Sequence, residues 1–234
     1  MRITILLFVL IFSISVSSQK KDPEIILEKV KSEFSKIEDY TVDVKVKLDV
    51  DFLKMPDREA KVYFKQPDKI HIESEGFAML PKQGLNFSPL ALLNSSYTSF
   101  YVREDTIDGC ISSVIKVIPL EGGSDVILST LWVDTDRNIV LKIESSRKPQ
   151  GEFVIDMAYS KTEKEFWLPS SMVFSFSIDP SMFPKRFDVG PDSKNKKAPD
   201  DSTKTRTGKV FIDYSNYQVN TGLSDELFES KEKK

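Results

Sequence analysis

Cysteine and histidine are almost missing from this chain of 234 residues: Cys110 and His71 each stand alone. A single cysteine excludes an internal disulfide and any cysteine-based structural zinc site. A single histidine leaves little for acid–base catalysis. His71 alternates with Ile70 and Ile72, which is the setting of a residue on the surface of a strand. Also missing are a Gly-x-Ser-x-Gly elbow and a glycine-rich phosphate loop. Ser-x-x-Lys occurs at Ser113–Lys116 and Ser145–Lys148, but both copies fall within or beside predicted strands rather than opening a helix. Asp134-Thr135-Asp136-Arg137-Asn138 starts like a calcium loop and then fails, with Ile139 in place of the glycine and Ser145 in place of the closing glutamate. It reads better as a polar hairpin turn. Carboxylates are plentiful, and nothing in the sequence marks two of them as a pair, so carboxylate-based glycoside hydrolysis stays formally open. Neither sign of charge prevails: 33 Lys and Arg face 36 Asp and Glu, for a net charge of -3. With no basic stripe interleaved with aromatics, this argues against nucleic-acid binding. The expectation is a protein that is not an enzyme and holds no metal.

Long apolar runs are also scarce. The one present is at the start, where Arg2 precedes an Ile3–Val16 stretch broken only by Thr4, Ser13 and Ser15. It is too short to span a bilayer comfortably. Val16-Ser17-Ser18 offers small residues for cleavage, so residues 1–18 read as an export signal. No cysteine follows the cleavage point, which closes the lipoprotein route. The expected address is the periplasm. Asn86-Phe87-Ser88 and Asn94-Ser95-Ser96 are formal glycosylation sequons that occur readily by chance.

What is abundant is alternation. Val42, Val44, Val46, Leu48, Val50 and Phe52 alternate without a break with Thr41, Asp43, Lys45, Lys47, Asp49 and Asp51. That period belongs to a strand with one apolar and one charged edge, in an antiparallel sheet with one wet face. Before it, Asp22-Pro23 opens a helix over 24–38, with an apolar stripe of Ile26, Val30, Phe34 and Ile37 beside Leu27. After it, strands are predicted over 60–65, 70–74, 99–107, 110–118, 126–133 and 139–145. Further alternation covers 153–159, 172–178 and 210–214. The total is about ten strands in one antiparallel meander, mainly β, with no second helix-rich region and no clear domain break.

Two stretches break the pattern. Residues 76–97 are dense in apolar side chains, but Gly76, Pro81, Gly84 and Pro89 interrupt them. They read as an apolar flap over the sheet, with one short helix at Pro89–Leu93. Residues 179–207 are proline-bearing and become polar from Asp192, as expected of a loop that is disordered in isolation. So wide a sheet presents more apolar surface than one helix can cover. On residues alone two outcomes stay open: a filled core, or a cavity between sheet and flap able to take acyl chains.

The opening signal, the helix, the long alternating strand and Lys65-Gln66-Pro67-Asp68-Lys69-Ile70 resemble the start of the LolA-type family of outer-membrane lipoprotein-sorting carriers. The close, Val219-Asn220-Thr221-Gly222-Leu223-Ser224-Asp225-Glu226-Leu227-Phe228, is similar to that family's closing segment. The resemblance implies an unclosed β-half-barrel over residues 19–234 with a helical lid and no cofactor. It also implies a hydrophobic cavity that holds lipid acyl groups for transfer across the periplasm towards the outer membrane. The cavity's inward face would be Val42, Val44, Val46, Leu48, Val50, Ile70, Ile72, Phe153, Ile155, Phe174 and Phe176. Its gate would be Phe77, Met79, Leu80, Phe87, Leu90, Leu92 and Leu93. Such a carrier, expected as a monomer, needs a membrane donor such as an ABC-type permease and an outer-membrane acceptor. The alternative on the same fold is an RseB-like periplasmic sensor or adaptor acting on a membrane partner. The chain departs from the family at Gln66, where an arginine helps to hold the lid. It also departs at Phe77–Pro81, where a further strand is expected, and in the length of 179–207.

Overall fold

The computed structural model describes residues 21–50, 56–74, 93–120, 126–147, 151–178 and 206–229. Helix α1 (Pro23–Ser35) is followed by β1 (Asp39–Val50), β2 (Arg58–Lys65) and β3 (Lys69–Glu73). After these come β4 (Tyr97–Ile107), β5 (Cys110–Pro119), β6 (Val126–Asp134), β7 (Ile139–Arg147), β8 (Gly151–Lys161), β9 (Trp167–Ile178) and β10 (Arg206–Val219). A 3-10 turn over Asp225–Leu227 ends the described chain's regular structure. The strands form one ten-stranded antiparallel sheet in the order β3-β2-β1-β10-β9-β8-β7-β6-β5-β4. β3 and β4, consecutive in sequence, are its two opposite edges, so the sheet is not closed. This is the mainly β, half-barrel architecture expected from the sequence.

Alternation decides which way each strand faces. On β1, Val42, Val44, Val46 and Val50 are buried while Lys45, Lys47 and Asp49 are exposed. The charged face is cross-braced by Lys61–Asp43 and Lys45–Asp57, both at 3.4 Å, exposed pairs that contribute at most about 1 kcal/mol each. The buried face joins Ile115, Leu131, Ile143, Ile155, Met172 and Ile212 into one core, which Leu27 and Val30 of α1 cover in part. The strands run beyond their predicted limits, β9 and β10 furthest. β9 takes in Pro169, which a ladder position would ordinarily refuse; it sits opposite a bulge at Ala158/Tyr159 that relaxes the pairing. β10 continues past Tyr214 through Asn216, whose positive φ of 56° and bond to Asp43 (2.9 Å) accompany the bulge at Thr41/Asp43.

Every described hairpin lies at one end of the sheet. Asp108 and Gly109 turn β4 into β5 with φ of 49° and 80°, as a two-residue hairpin loop requires. The failed calcium loop is a hairpin turn as expected: Asp134 accepts from the Asp136 and Arg137 backbone N–H groups (2.9 and 3.1 Å) and from Arg137 Nε (2.6 Å).

The closing segment locks this end. Asp39 is 2% exposed. Its carboxylate accepts from the N–H groups of Thr221 (2.8 Å), Gly222 (2.8 Å) and Leu223 (3.2 Å), and from the Thr221 hydroxyl (3.1 Å). Burial on its own raises this carboxyl's pKa; the four donors outweigh it and hold the group below the ordinary carboxylate range. Asn220, at φ 52°, donates its side-chain amide to Lys36 O (2.9 Å) and accepts from Glu38 N (2.8 Å). Lys65 donates to Leu223 O (2.7 Å) and pairs with Asp225 (2.7 Å). The signature-like tail is therefore a clamp between the end of β10 and the start of β1.

Replacing Asp39 by Asn should lower stability by about 2–3 kcal/mol at neutral pH. The folded-state pKa lies below the unfolded value of about 3.9, so the contribution is complete above that value and is lost as pH falls through the folded one. Urea unfolding of the native protein should thus weaken more steeply below about pH 4 than that of Asp39→Asn. Equal slopes would contradict the clamp.

Candidate functional site

The strand register assembles the predicted inward residues on one concave face. Leu48, Val210, Phe174 and Ile155 form one row across β1, β10, β9 and β8. Val50, Gly208, Phe176 and Phe153 form the next, nearer the end opposite the hairpins. Val42, Val62 and Ile72 form a third row across β1, β2 and β3, and Ile70 pairs with Phe64. Burial grades across the face. Val42, Val44, Val46, Val50, Phe153 and Ile155 are buried. Leu48, Ile70, Ile72, Phe174 and Phe176 are half-buried.

The half-buried part is aromatic. Phe153–Phe174 and Phe174–Phe176 ring centroids are both 5.5 Å apart. Gly208 seats the outer ring. A Cβ there would stand 2.5 Å from Phe176 Cζ and 3.1 Å from Val50 Cγ2, so only glycine lets the ring lie over β10. Alternation cannot reveal that role, and Gly208 was absent from the predicted site.

Of the predicted gate, Phe77, Met79, Leu80, Phe87, Leu90 and Leu92 lie outside the described residues. Leu93 is described, 1% exposed and part of the main core. His71 shares a face with Tyr63, its ring partner at 5.7 Å, and stands 3.8 Å from Glu73. That is the wet face, as its strand position implied. Among the described residues no group of three or more His, Cys, Asp or Glu could hold a metal ion.

Helix α1 is held differently at its two ends. At its start, Lys21 pairs with Glu104 of β4 (2.6 Å) with both side chains exposed. At its close, Gln66 Nε2 donates to the carbonyl oxygens of Ile37 (2.7 Å), Ser35 (3.2 Å) and Phe34 (3.3 Å). The Gln66 backbone N–H donates to Glu38 O (2.8 Å). The last carbonyls of a helix have no partner within it; Phe34 O also accepts from the Ile37 backbone N–H (2.9 Å), and Ile37 lies just past the helix. A neutral amide at the family's arginine position therefore ties α1 to the β2–β3 turn. Beneath this junction Phe34 meets Phe64 edge-on, Phe64 stacks on Tyr40, and Tyr40 meets Tyr217 edge-on; burial pushes the Tyr40 hydroxyl pKa up to about 12.

A cleft of about 260 Å³ opens on the concave side at the hairpin end, walled by Val30, Phe34, Val140, Tyr159, Trp167 and Leu168 among others. None of the residues predicted from the sequence lines it.

A one-sided apolar sheet, open between its edges and crossed by one α-helix among the described residues, defines the class: an open half-barrel with a hydrophobic concave face. Solved structures carry the comparison further. A domain assigned as an outer membrane lipoprotein-sorting protein from Vibrio parahaemolyticus is 13% identical, with 88% of this chain and 97% of that one covered at a TM-score of 0.56. A DUF1329 family protein from Desulfovibrio piger is 14% identical, with coverage of 89% and 98% and a TM-score of 0.59. A LolA superfamily protein from Nitrosomonas europaea is 11% identical, with coverage of 88% and 97% and a TM-score of 0.52. No family model and no curated protein matches the sequence. The chain thus has the LolA-like fold that its sequence resembles, over nearly its whole described length.

Gln66→Ala should free the last carbonyls of α1 and cost about 1–2 kcal/mol. Hydrogen exchange should accelerate in α1 and at Glu38 while the β5–β8 amides stay protected. Unchanged exchange in α1 would mean that Gln66 does not hold the helix.

Proposed function

We propose that this protein is a periplasmic carrier that holds the acyl chains of a lipoprotein or lipid on its concave face and delivers them towards the outer membrane. The observation that carries the reading is the half-buried apolar floor of Leu48, Ile70, Ile72, Phe174 and Phe176, beside a core of buried side chains. Each methylene buried there is worth about 0.8 kcal/mol, so a chain of ordinary length gains enough to be held without any polar contact. Residues 1–18 serve as the export signal, and residues 19–234 form a single lipid-binding domain. The chemistry needed is burial and release, so no catalytic residue or cofactor is assigned.

The fold likeness to a lipoprotein-sorting domain and to a LolA superfamily protein supports this reading. So do exposed apolar side chains on and beside β4–β6: Phe100 (53% exposed), Val102, Ile118, Leu120 and Ile127. Val102 and Ile127 are the extra residues of two bulges, which turn aliphatic side chains outward. Exposed apolar patches mark contact surfaces, and these side chains suit a membrane-bound donor, such as an ABC-type permease, or an outer-membrane acceptor.

Native mass spectrometry of protein purified from the periplasm should show co-purifying lipid. Phe174→Arg, at a half-buried position, should lose it while retaining a folded far-UV spectrum. A lipid-free native protein that also fails to take up an apolar dye would overturn the carrier reading. Lipid that stays bound while altering affinity for a membrane partner would identify a sensor instead.

A further inference from the structure

Among the described residues the concave face carries a permanent charge at Arg58, just outside the strand predicted over 60–65. Arg58 opens β2 and pairs with Val46 of β1, so it shares a face with Ala60, Val62 and Phe64 rather than with Glu59 and Lys61. Its Nε is buried and makes no hydrogen bond. No ion pair or other hydrogen bond of Arg58 occurs among the described residues. The nearby carboxylates are engaged elsewhere: Asp57 with Lys45, and Asp43 with Lys61 and Asn216.

Arginine cannot shed its proton to escape such a position. A half-buried guanidinium with an unmet donor lowers stability unless something fills it. The same protein satisfies its buried acids in full. Asp39 receives four hydrogen bonds and Asp134 three. The Arg58 Nε departs from that practice, as do the Ser99 and Ser113 hydroxyls, and Arg58 alone of the three carries a charge; it opens β2 at the end opposite the hairpins. Across the aromatic floor at the same end, Arg147 of β7 places its Cζ 6.0 Å from the Phe153 ring. Arg58 lies in the row of Val46, Ile212 and Met172, so in strand order the aromatic floor of β8 and β9 stands between Arg58 of β2 and Arg147 of β7.

We infer that Arg58 receives the anionic headgroup of the bound lipid, a phosphate whose two free oxygens match the guanidinium fork. The inference rests on the carrier reading and adds a charge class to it. The chains lie on the apolar floor, and the headgroup sits at its β2 edge, against the half-buried Arg58 guanidinium.

Delipidated protein can be titrated with dioleoyl phosphatidic acid and with dioleoylglycerol, which carries the same chains without the phosphate. The anionic lipid should bind about tenfold more tightly, and Arg58→Gln should erase that preference while leaving dioleoylglycerol binding intact. Arg58→Lys should keep part of it. The urea midpoint of Arg58→Gln should stay level or rise, because an unpaired charge is removed; a marked fall would mean the arginine serves the fold. Millimolar inorganic phosphate should not displace the anionic lipid. Displacement by phosphate alone would make this a free-anion site and overturn the lipid assignment. Equal affinity for both lipids, unchanged in Arg58→Gln, would overturn this inference only. Binding of neither lipid would overturn the carrier reading and this inference with it.

Discussion

The pairing of the first strand with the last holds this molecule together. β1 binds β2 on one side and β10 on the other. Without the second pairing, the three-stranded β1–β3 unit and the seven-stranded β4–β10 meander would be separate sheets. The register is demanding, because a slip of one residue would turn Val42, Val44 and Val46 to water and Asp43, Lys45 and Lys47 to the core. Loop closure over so long a chain is entropically costly. The clamp of Asp39 on residues 221–223, with Asn220 on Lys36 and Glu38, fixes the register at the point where the two strands meet.

The two ends of the sheet have distinct tasks as a result. The hairpin end is tied by tight turns, by Gln66 at the end of α1 and by the tail. The other end carries the half-buried aromatics and the unpaired Arg58. Order at one end allows the apolar floor at the other to stay incompletely covered. The core beneath α1 already has buried anchors in Leu27 and Val30.

Much of this was legible from residue order. Alternation at Val42–Val50, Phe153–Tyr159 and Met172–Ile178 announces strands and assigns their faces, and Asp108-Gly109 announces its hairpin. What stayed hidden depends on partners distant in the chain. The tail's Asn220-Thr221-Gly222 reads as a polar turn until Asp39 is placed against it. Gln66 reads as a departure from a family pattern until its amide meets the α1 carbonyls. Gly208 reads as a strand breaker until the Phe176 ring lies over it. Arg58 precedes the strand predicted over 60–65, and only the extension of β2 back to Arg58 puts it on the face of Ala60, Val62 and Phe64. Periodicity gives a side chain's face, whereas what stands opposite is settled by register between strands far apart in sequence.

The central claim is that the concave face takes a hydrocarbon chain among its own side chains. A crystal structure of the complex with a phospholipid brominated along its acyl chains tests it most directly. Anomalous bromine signal should fall between Phe153, Phe174, Phe176 and Leu48. Bromine found only on the charged outer face, with these four side chains packed against one another as before, would contradict the account.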